Sequence, residues 1–200
     1  MQGDQPVAPT RKMEHDRVNN HRRSLRLKDY NYANPGAYFV TICTKHRSLL
    51  FGDIIEGDMR LTDYGRIVDQ EWKISAKIRR EITLDTFVLM PNHIHGIILI
   101  NESDVGATGG SPVRSGPRQY SLASFLSGFK SATTRHINNL RQSPGTPVWQ
   151  RNYYEHVIRN EQSLHRIREY IANNPARWDF DRENPAATNP EPEGCVARVK

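Results

Sequence analysis

Apolar positions along the chain change rhythm several times, and the order of those rhythms outlines a fold. After the turn-forming Asn34-Pro35-Gly36, the run Ala37-Tyr38-Phe39-Val40-Thr41-Ile42-Cys43-Thr44 is rich in β-branched and aromatic residues and predicts a strand. Leu50 to Leu61, broken by Gly52-Asp53 and Gly57-Asp58, predicts a short accessory hairpin. A helix is expected from the N-cap Thr62 to about Arg80, with Ile67, Trp72, Ile74 and Ile78 as its apolar face and Lys77, Arg79 and Arg80 at the negative end of its dipole. Two further strands, Ile82 to Met90 and His93 to Ile100, flank Pro91-Asn92, a pair suited to a turn and poor in a strand, and so read as a hairpin. From Ser121 the pattern is helical again, with Leu122, Phe125, Leu126, Phe129, Ile137 and Leu140 on one stripe and Lys130, Arg135, His136 and Arg141 off it. Val148 to Ile158 reads as a loop entering a fourth main strand. A last helix runs from the cap Asn160 to Asn174, buries Leu164, Ile167 and Ile171, and stops before Pro175.

Strand, helix, strand, strand, helix, strand and an added helix is the order of an α+β fold of the ferredoxin-like or RRM-like split βαβ type. Two helices cover one face of its sheet, and the additional C-terminal helix is free to reach the other. The polar remainder sets the boundaries. Residues 1–28 carry Arg11, Lys12, Arg17, Arg22, Arg23, Arg26 and Lys28 with almost nothing to bury, and read as a basic, disordered arm. Residues 29–178 form the domain. Residues 179–200 are polar and rich in Pro and Glu and read as a disordered tail, and the Gly-, Ser- and Pro-crowded stretch 101–119 reads as a mobile loop.

Composition narrows the function classes. No run approaches the roughly 18 apolar residues that span a bilayer, and the N-terminus lacks a secretory pattern, so a soluble cytoplasmic protein without a membrane partner is expected. Cys43 and Cys195 are the only cysteines of the 200 residues, which leaves no disulfide framework and no cysteine zinc site. Any metal falls to His, Asn or carboxylates. A formal net charge of +6 favours an acidic partner, nucleic acid first.

The candidate chemistry starts at His93-Ile94-His95. Residues two apart on a strand share a face, so the two imidazoles project together, beside Ile97 and Leu99, and can grip one metal ion; the same pair also occurs as two hydrogen-bonded imidazoles without a metal. On the last helix Tyr170 lies about a quarter turn from the buried stripe, with Asn174 one turn later above it and Arg166 one turn before it. Tyr153 and Tyr154 are rival nucleophiles by residue type. Trp149 and Tyr153 beside Arg151 can stack on bases and pair with phosphates, or the rings can fill the core.

Met90-Pro91-Asn92-His93-Ile94-His95, Phe129-Lys130-Ser131, Val148-Trp149-Gln150 and Tyr170-Ile171-Ala172-Asn173-Asn174-Pro175 together resemble the transposases of the IS200 type, and within them the REP-associated tyrosine transposase branch. The resemblance spans roughly residues 25–180. It implies a metal-dependent HUH endonuclease acting on single-stranded DNA, with Tyr170 as the catalytic nucleophile and His93 and His95 as the metal pair, completed by Asn174. It also implies Mg²⁺ or Mn²⁺, a 5′-phosphotyrosine intermediate and a hairpin-containing, REP-like substrate, the protein acting as monomer or homodimer. Arg166 is a candidate helper for the phenol. Arg114, Arg118, Lys130, Arg135 and Arg151 are assigned to DNA-backbone contacts, and Trp149 to a base. Two alternatives remain. A non-catalytic nucleic-acid-binding module on the same fold would bind without a covalent adduct, and a small metallohydrolase would leave Tyr170 and Asn174 idle.

Overall fold

A computed structural model describes residues 34–101 and 121–188. The expected N-terminal arm, the loop that carries Arg114 and Arg118, and the end of the tail lie outside the described residues. Four strands, β1 (Gly36–Cys43), β4 (Ile82–Met90), β5 (His93–Ile100) and β6 (Tyr154–Ile158), form one sheet in the order β4-β5-β1-β6. Every pairing in it is antiparallel. The accessory strands β2 (Gly52–Ile55) and β3 (Asp58–Leu61) pair only with each other. This is the split βαβ sheet expected from the order of elements, and it puts β5, with its two histidines, in the interior of the sheet.

Strand alternation sends successive side chains to two separate cores. On one face Tyr38, Val40 and Ile42 of β1 and Ile94, Ile98 and Ile100 of β5 pack against helices α1 (Asp63–Ile78) and α2 (Leu122–Leu140). On the other, Phe39 and Ile97 meet Ile167 and Ile171 of helix α3 (Glu161–Asn173). The caps expected at Thr62 and Asn160 are in place, the Thr62 hydroxyl accepting from the Gly65 amide at 3.1 Å and the Asn160 side chain from the Ser163 amide at 2.8 Å, and α2 starts on a reciprocal capping box of Ser121 and Ser124.

The apolar face of α1 differs from the expected one. Val68 and Trp72 are buried, whereas Ile74 and Ile78 are exposed. At about 100° per residue Ile74 points about 200° away from Trp72, so no single face holds both, and the indole, with the larger area to bury, takes the core. Leu140, at the end of α2, is exposed as well. The segment after α3 is a second correction. Pro175–Phe180 forms a 3₁₀ turn and Asp181 and Asn184 are buried, so residues 179–188, expected in a loose tail, pack onto the domain. Local hydrogen bonds fix this course: the Asn184 side chain donates to the Trp178 carbonyl at 2.9 Å and the Glu183 amide donates to Asp181 Oδ1 at 2.6 Å.

Trp72 sits in a ring cluster with Phe87, Phe125 and Phe129, at centroid distances of 6.0, 5.7 and 5.0 Å. It presses on β5 at Gly96, where an added Cβ would stand 2.8 Å from the indole and 3.3 Å from Phe87 Cβ. On the opposite face α3 is tied to β4 by Arg168, whose Nε and Nη2 donate to the two carboxylate oxygens of Asp85 at 3.0 and 2.5 Å. Asp85 lies where the β4–β5 register shifts, between Leu84 and Phe87.

Two outcomes follow from these contacts. Gly96→Ala forces the indole out of place and is expected to lower unfolding free energy by about 1–3 kcal/mol in denaturant titration. The Arg168 hydrogen bond holds the Asp85 carboxyl down at about 2, from an ordinary 3.8. Because the folded pKa is the lower one, the pair's stabilisation is complete above the ordinary value and disappears as pH falls through about 2. In acid titrations Asp85→Asn should therefore lose stability less steeply than the wild type over that window.

Candidate metal and tyrosine site

His93 opens β5 immediately after the Pro91-Asn92 turn, paired in register with Cys43 of β1 and Met90 of β4, and His95 follows two residues on, opposite Thr41 and Val88. Both imidazoles are buried, with ring centroids 4.4 Å apart. Each is oriented through its Nδ1. His93 Nδ1 lies 2.8 Å from Asn92 Oδ1, and His95 Nδ1 lies 2.9 Å from the Thr41 hydroxyl. The Asn92 amide is itself fixed, because its Nδ2 donates to the carbonyls of Arg47 at 3.2 Å and Glu183 at 2.6 Å. Its Oδ1 can only accept, so the proton of neutral His93 sits on Nδ1 and Nε2 presents a lone pair. Burial, helped by the Arg47 charge, pushes the His93 pKa down to about 3. His95 is driven well below its ordinary value by burial and then by His93, with Asp181 opposing. Both rings are thus neutral, the state in which imidazole binds a metal.

Helix α3 brings the tyrosine. Ile167 and Ile171 bury one face, and Tyr170, on its flank, reaches across the sheet so that its hydroxyl is 3.3 Å from His95 Nε2. Its ring stands edge-on to His95 and to Phe39, at 5.2 and 6.1 Å. Asn174, one turn later, is the buried C-cap of α3, and its Oδ1 is buried without a hydrogen-bond partner. The 3₁₀ turn then returns the chain to the sheet and delivers Asp181, whose Oδ2 lies 3.7 Å from His93 Nε2. His93, His95 and Asp181 offer ligand atoms all within 4.8 Å of one another. His93 Nε2 and Asp181 Oδ2, like Asn174 Oδ1, are buried without a hydrogen-bond partner. Burying polar atoms unpaired is costly, and a divalent cation would satisfy those of His93 and Asp181; two imidazole nitrogens with a carboxylate oxygen form a donor set that fits one.

Asp181 is the functional candidate that sequence reasoning missed. Its composition-rich surroundings resemble a solvated tail, and only its burial beside His93 distinguishes it from the other acidic residues there. Around it the segment is pinned by Glu183, which accepts from the Cys43 thiol at 3.3 Å and pairs with Arg47 at 3.0 Å.

The proposed DNA contacts are distributed differently from expectation. Trp149 is buried between Phe51 and Phe129, at centroid distances of 5.1 and 5.6 Å, and its indole N–H donates to the Thr133 hydroxyl at 2.8 Å. It fills the core and offers no stacking platform. Lys130 donates to the carbonyls of Gln150 and Arg151 at 2.5 and 3.1 Å, and burial lowers its pKa to about 8. Its ammonium therefore fastens the loop before β6 to α2. Arg135 and Arg151 are exposed, and with Lys130 they line a cleft of about 560 Å³ along α2, on the face of the sheet opposite α3. Arg166 is exposed on α3. Of the rival tyrosines, Tyr153 packs against the α1–α2 core and Tyr154 lies edge-on to Phe39 at 6.2 Å.

No family model matches the sequence. A protein of Haemophilus influenzae described as uncharacterized is 43% identical over 169 residues, covering 81% of this chain and 92% of that protein. The chain belongs to the same family as that protein. Among solved structures, a REP-associated tyrosine transposase bound to a REP hairpin superposes over 77% of this chain and 74% of its own, with a TM-score of 0.54 and 20% identity. This chain has the fold of a REP-associated tyrosine transposase. The fold that the motifs led us to expect is thus matched in three dimensions. Among the described residues no helix is long and apolar enough to cross a membrane.

The donor set makes a direct prediction. Excess Mn²⁺ should raise the unfolding midpoint of the wild-type protein, since a ligand that binds only the folded state stabilises it by mass action. The rise should vanish in His93→Ala and His95→Ala and persist in Tyr170→Phe, and calorimetry of Asp181→Asn should show Mn²⁺ affinity weakened by at least about tenfold.

Proposed function

We propose that this protein is a metal-dependent endonuclease and transposase of single-stranded DNA that cleaves and rejoins strands through a covalent bond to Tyr170. The observation that carries the reading is the Tyr170 hydroxyl 3.3 Å from His95 Nε2, within a buried His-His-Asp group that fits a divalent cation. A phosphodiester seated there would present its phosphorus to the phenol.

His93, His95 and Asp181, with Asn174 one turn beyond the tyrosine, would hold the ion. Mg²⁺ or Mn²⁺, when bound, supplies Lewis-acid polarisation of the phosphate. The rest is the work of the chain. The phenol of Tyr170, with an ordinary pKa of about 10, is mostly protonated at neutral pH, so its proton must pass to water as its oxygen attacks, and the departing O3′ takes one up from water. The new Oη–P bond replaces the P–O3′ bond, leaving a 5′-phosphotyrosine and a free 3′-hydroxyl. Attack by another 3′-hydroxyl reverses the step and releases Tyr170. Because the phosphoester is conserved in the covalent link, no nucleotide cofactor is needed. The hydrophobic contacts of Ile167 and Ile171 hold α3 against the sheet, with Tyr170 on its flank.

A hairpin-containing single strand is the expected substrate, on the strength of the net charge of +6 and the REP hairpin bound by the structural relative. Arg135 and Arg151, together with Arg114 and Arg118, are the proposed contacts to its phosphates.

The test is incubation with a labelled single-stranded hairpin oligonucleotide carrying flanking single strands, with Mn²⁺ or Mg²⁺, followed by denaturing electrophoresis. A protein–DNA band that requires metal, is lost in Tyr170→Phe and falls by at least about a hundredfold in His93→Ala is the expected outcome. Tight binding with no adduct would identify a non-catalytic module, and an adduct that survives Tyr170→Phe would assign the chemistry to another residue.

A further inference from the structure

We propose that the Asp85–Arg168 ion pair is a positioning device that sets the rotation of α3 and so places the Tyr170 hydroxyl; the inference rests on the function proposed above. Tyr170 and Arg168 leave α3 on opposite sides of the buried stripe. With about 100° per residue, each lies about 80° from the midline between Ile167 and Ile171, in opposite senses. Tyr170 therefore reaches toward β5 on one flank while Arg168 reaches the β4 bulge on the other.

The apolar contact between them is non-directional and tolerates rolling of the helix. A roll of roughly 20° displaces a side-chain tip about 6 Å from the axis by about 2 Å, more than the separation of a reactive from an unreactive approach. The ion pair resists that roll because its carboxylate end is fixed and its guanidinium contact is bidentate. Asp85 lies in the bulge, where one strand is bent and a side chain re-aimed. Its Oδ1 also accepts from the Thr86 amide at 2.6 Å and the Thr86 hydroxyl at 2.9 Å, so the carboxylate is locked before Arg168 arrives. Arg168 meets it with two donors, which specifies angle as well as distance. The carboxylate is largely shielded, with a side-chain exposure of 12%, while the guanidinium is 45% exposed.

The expected effect separates positioning from binding. In Asp85→Asn and Arg168→Gln, adduct formation in a single turnover should slow by about tenfold or more, while affinity for the hairpin oligonucleotide and for Mn²⁺ stays at the wild-type value. Arg168→Lys, which keeps the charge and one donor, should recover part of the rate. An activity-independent readout comes from 3-fluorotyrosine labelling of the eight tyrosines, with the Tyr170 resonance identified by its disappearance in Tyr170→Phe. That resonance should shift or broaden in Asp85→Asn and Arg168→Gln while those of the other tyrosines stay in place. An unmoved resonance, or equal loss of rate and thermal stability with every resonance displaced, overturns the proposal. Weakened DNA affinity in the Arg168 variants alone would also overturn it, by making the guanidinium a phosphate contact. If the wild-type protein forms no adduct, the proposed activity fails and the Tyr170 resonance alone decides the positioning role.

Discussion

The candidate site depends on one buried amide. Asn92 closes the turn between β4 and β5, and its side chain is used on both ends: Nδ2 holds the carbonyls of Arg47 and Glu183, and Oδ1 receives His93 Nδ1. Its backbone carbonyl accepts from Thr44 as well, at 2.8 Å. One residue thereby ties the end of β1, the start of β5 and the segment beyond α3 into a single corner. The consequence is chemical as well as mechanical, because an acceptor on Nδ1 leaves a lone pair on Nε2. Without that amide His93 would keep its place in the strand but not its tautomer.

The sheet divides the labour between two cores. The α1–α2 face holds the large aromatic cluster around Trp72 and the larger set of buried apolar residues. The α3 face is smaller, and its core grades directly from Phe39 and Ile97 into His95 and Tyr170. Placing the polar group on the thinner layer means that its unpaired atoms disturb little of the packing that stabilises the domain. It also leaves α3 as the element whose position the sheet must specify through a few directed contacts.

Much of this was legible from local pattern. The strands, the shared face of His93 and His95, and the flank position of Tyr170 and Asn174 follow from periodicities of two or 3.6 residues, and the caps at Thr62 and Asn160 from residue type. What escaped depended on contacts between distant segments. Asp181 lies in a stretch whose composition resembles a solvated tail, and its burial is imposed by the 3₁₀ turn and by the grip of Asn92 on Glu183. Trp149 carried an ambiguity between base platform and core that residue type cannot resolve, and its bond to Thr133 of α2 resolved it. Ile74 and Ile78 were assigned to a face that geometry gives to Trp72. The Asp85–Arg168 pair spans 83 residues and has no local signature at all.

The site draws its parts from two widely separated lengths of chain. The histidines and their orienting partners Thr41 and Asn92 belong to the first half, whereas Tyr170, Asn174 and Asp181 follow one another in a single late stretch. Synthesis runs in the same direction. A nascent chain can complete β1, β4, β5 and their turn while Tyr170 and Asp181 are still unmade or inside the ribosome. The order of translation therefore withholds the assembled group until the rest of the domain exists, so that a half-made or prematurely terminated product carries the imidazoles without the tyrosine and carboxylate beside them.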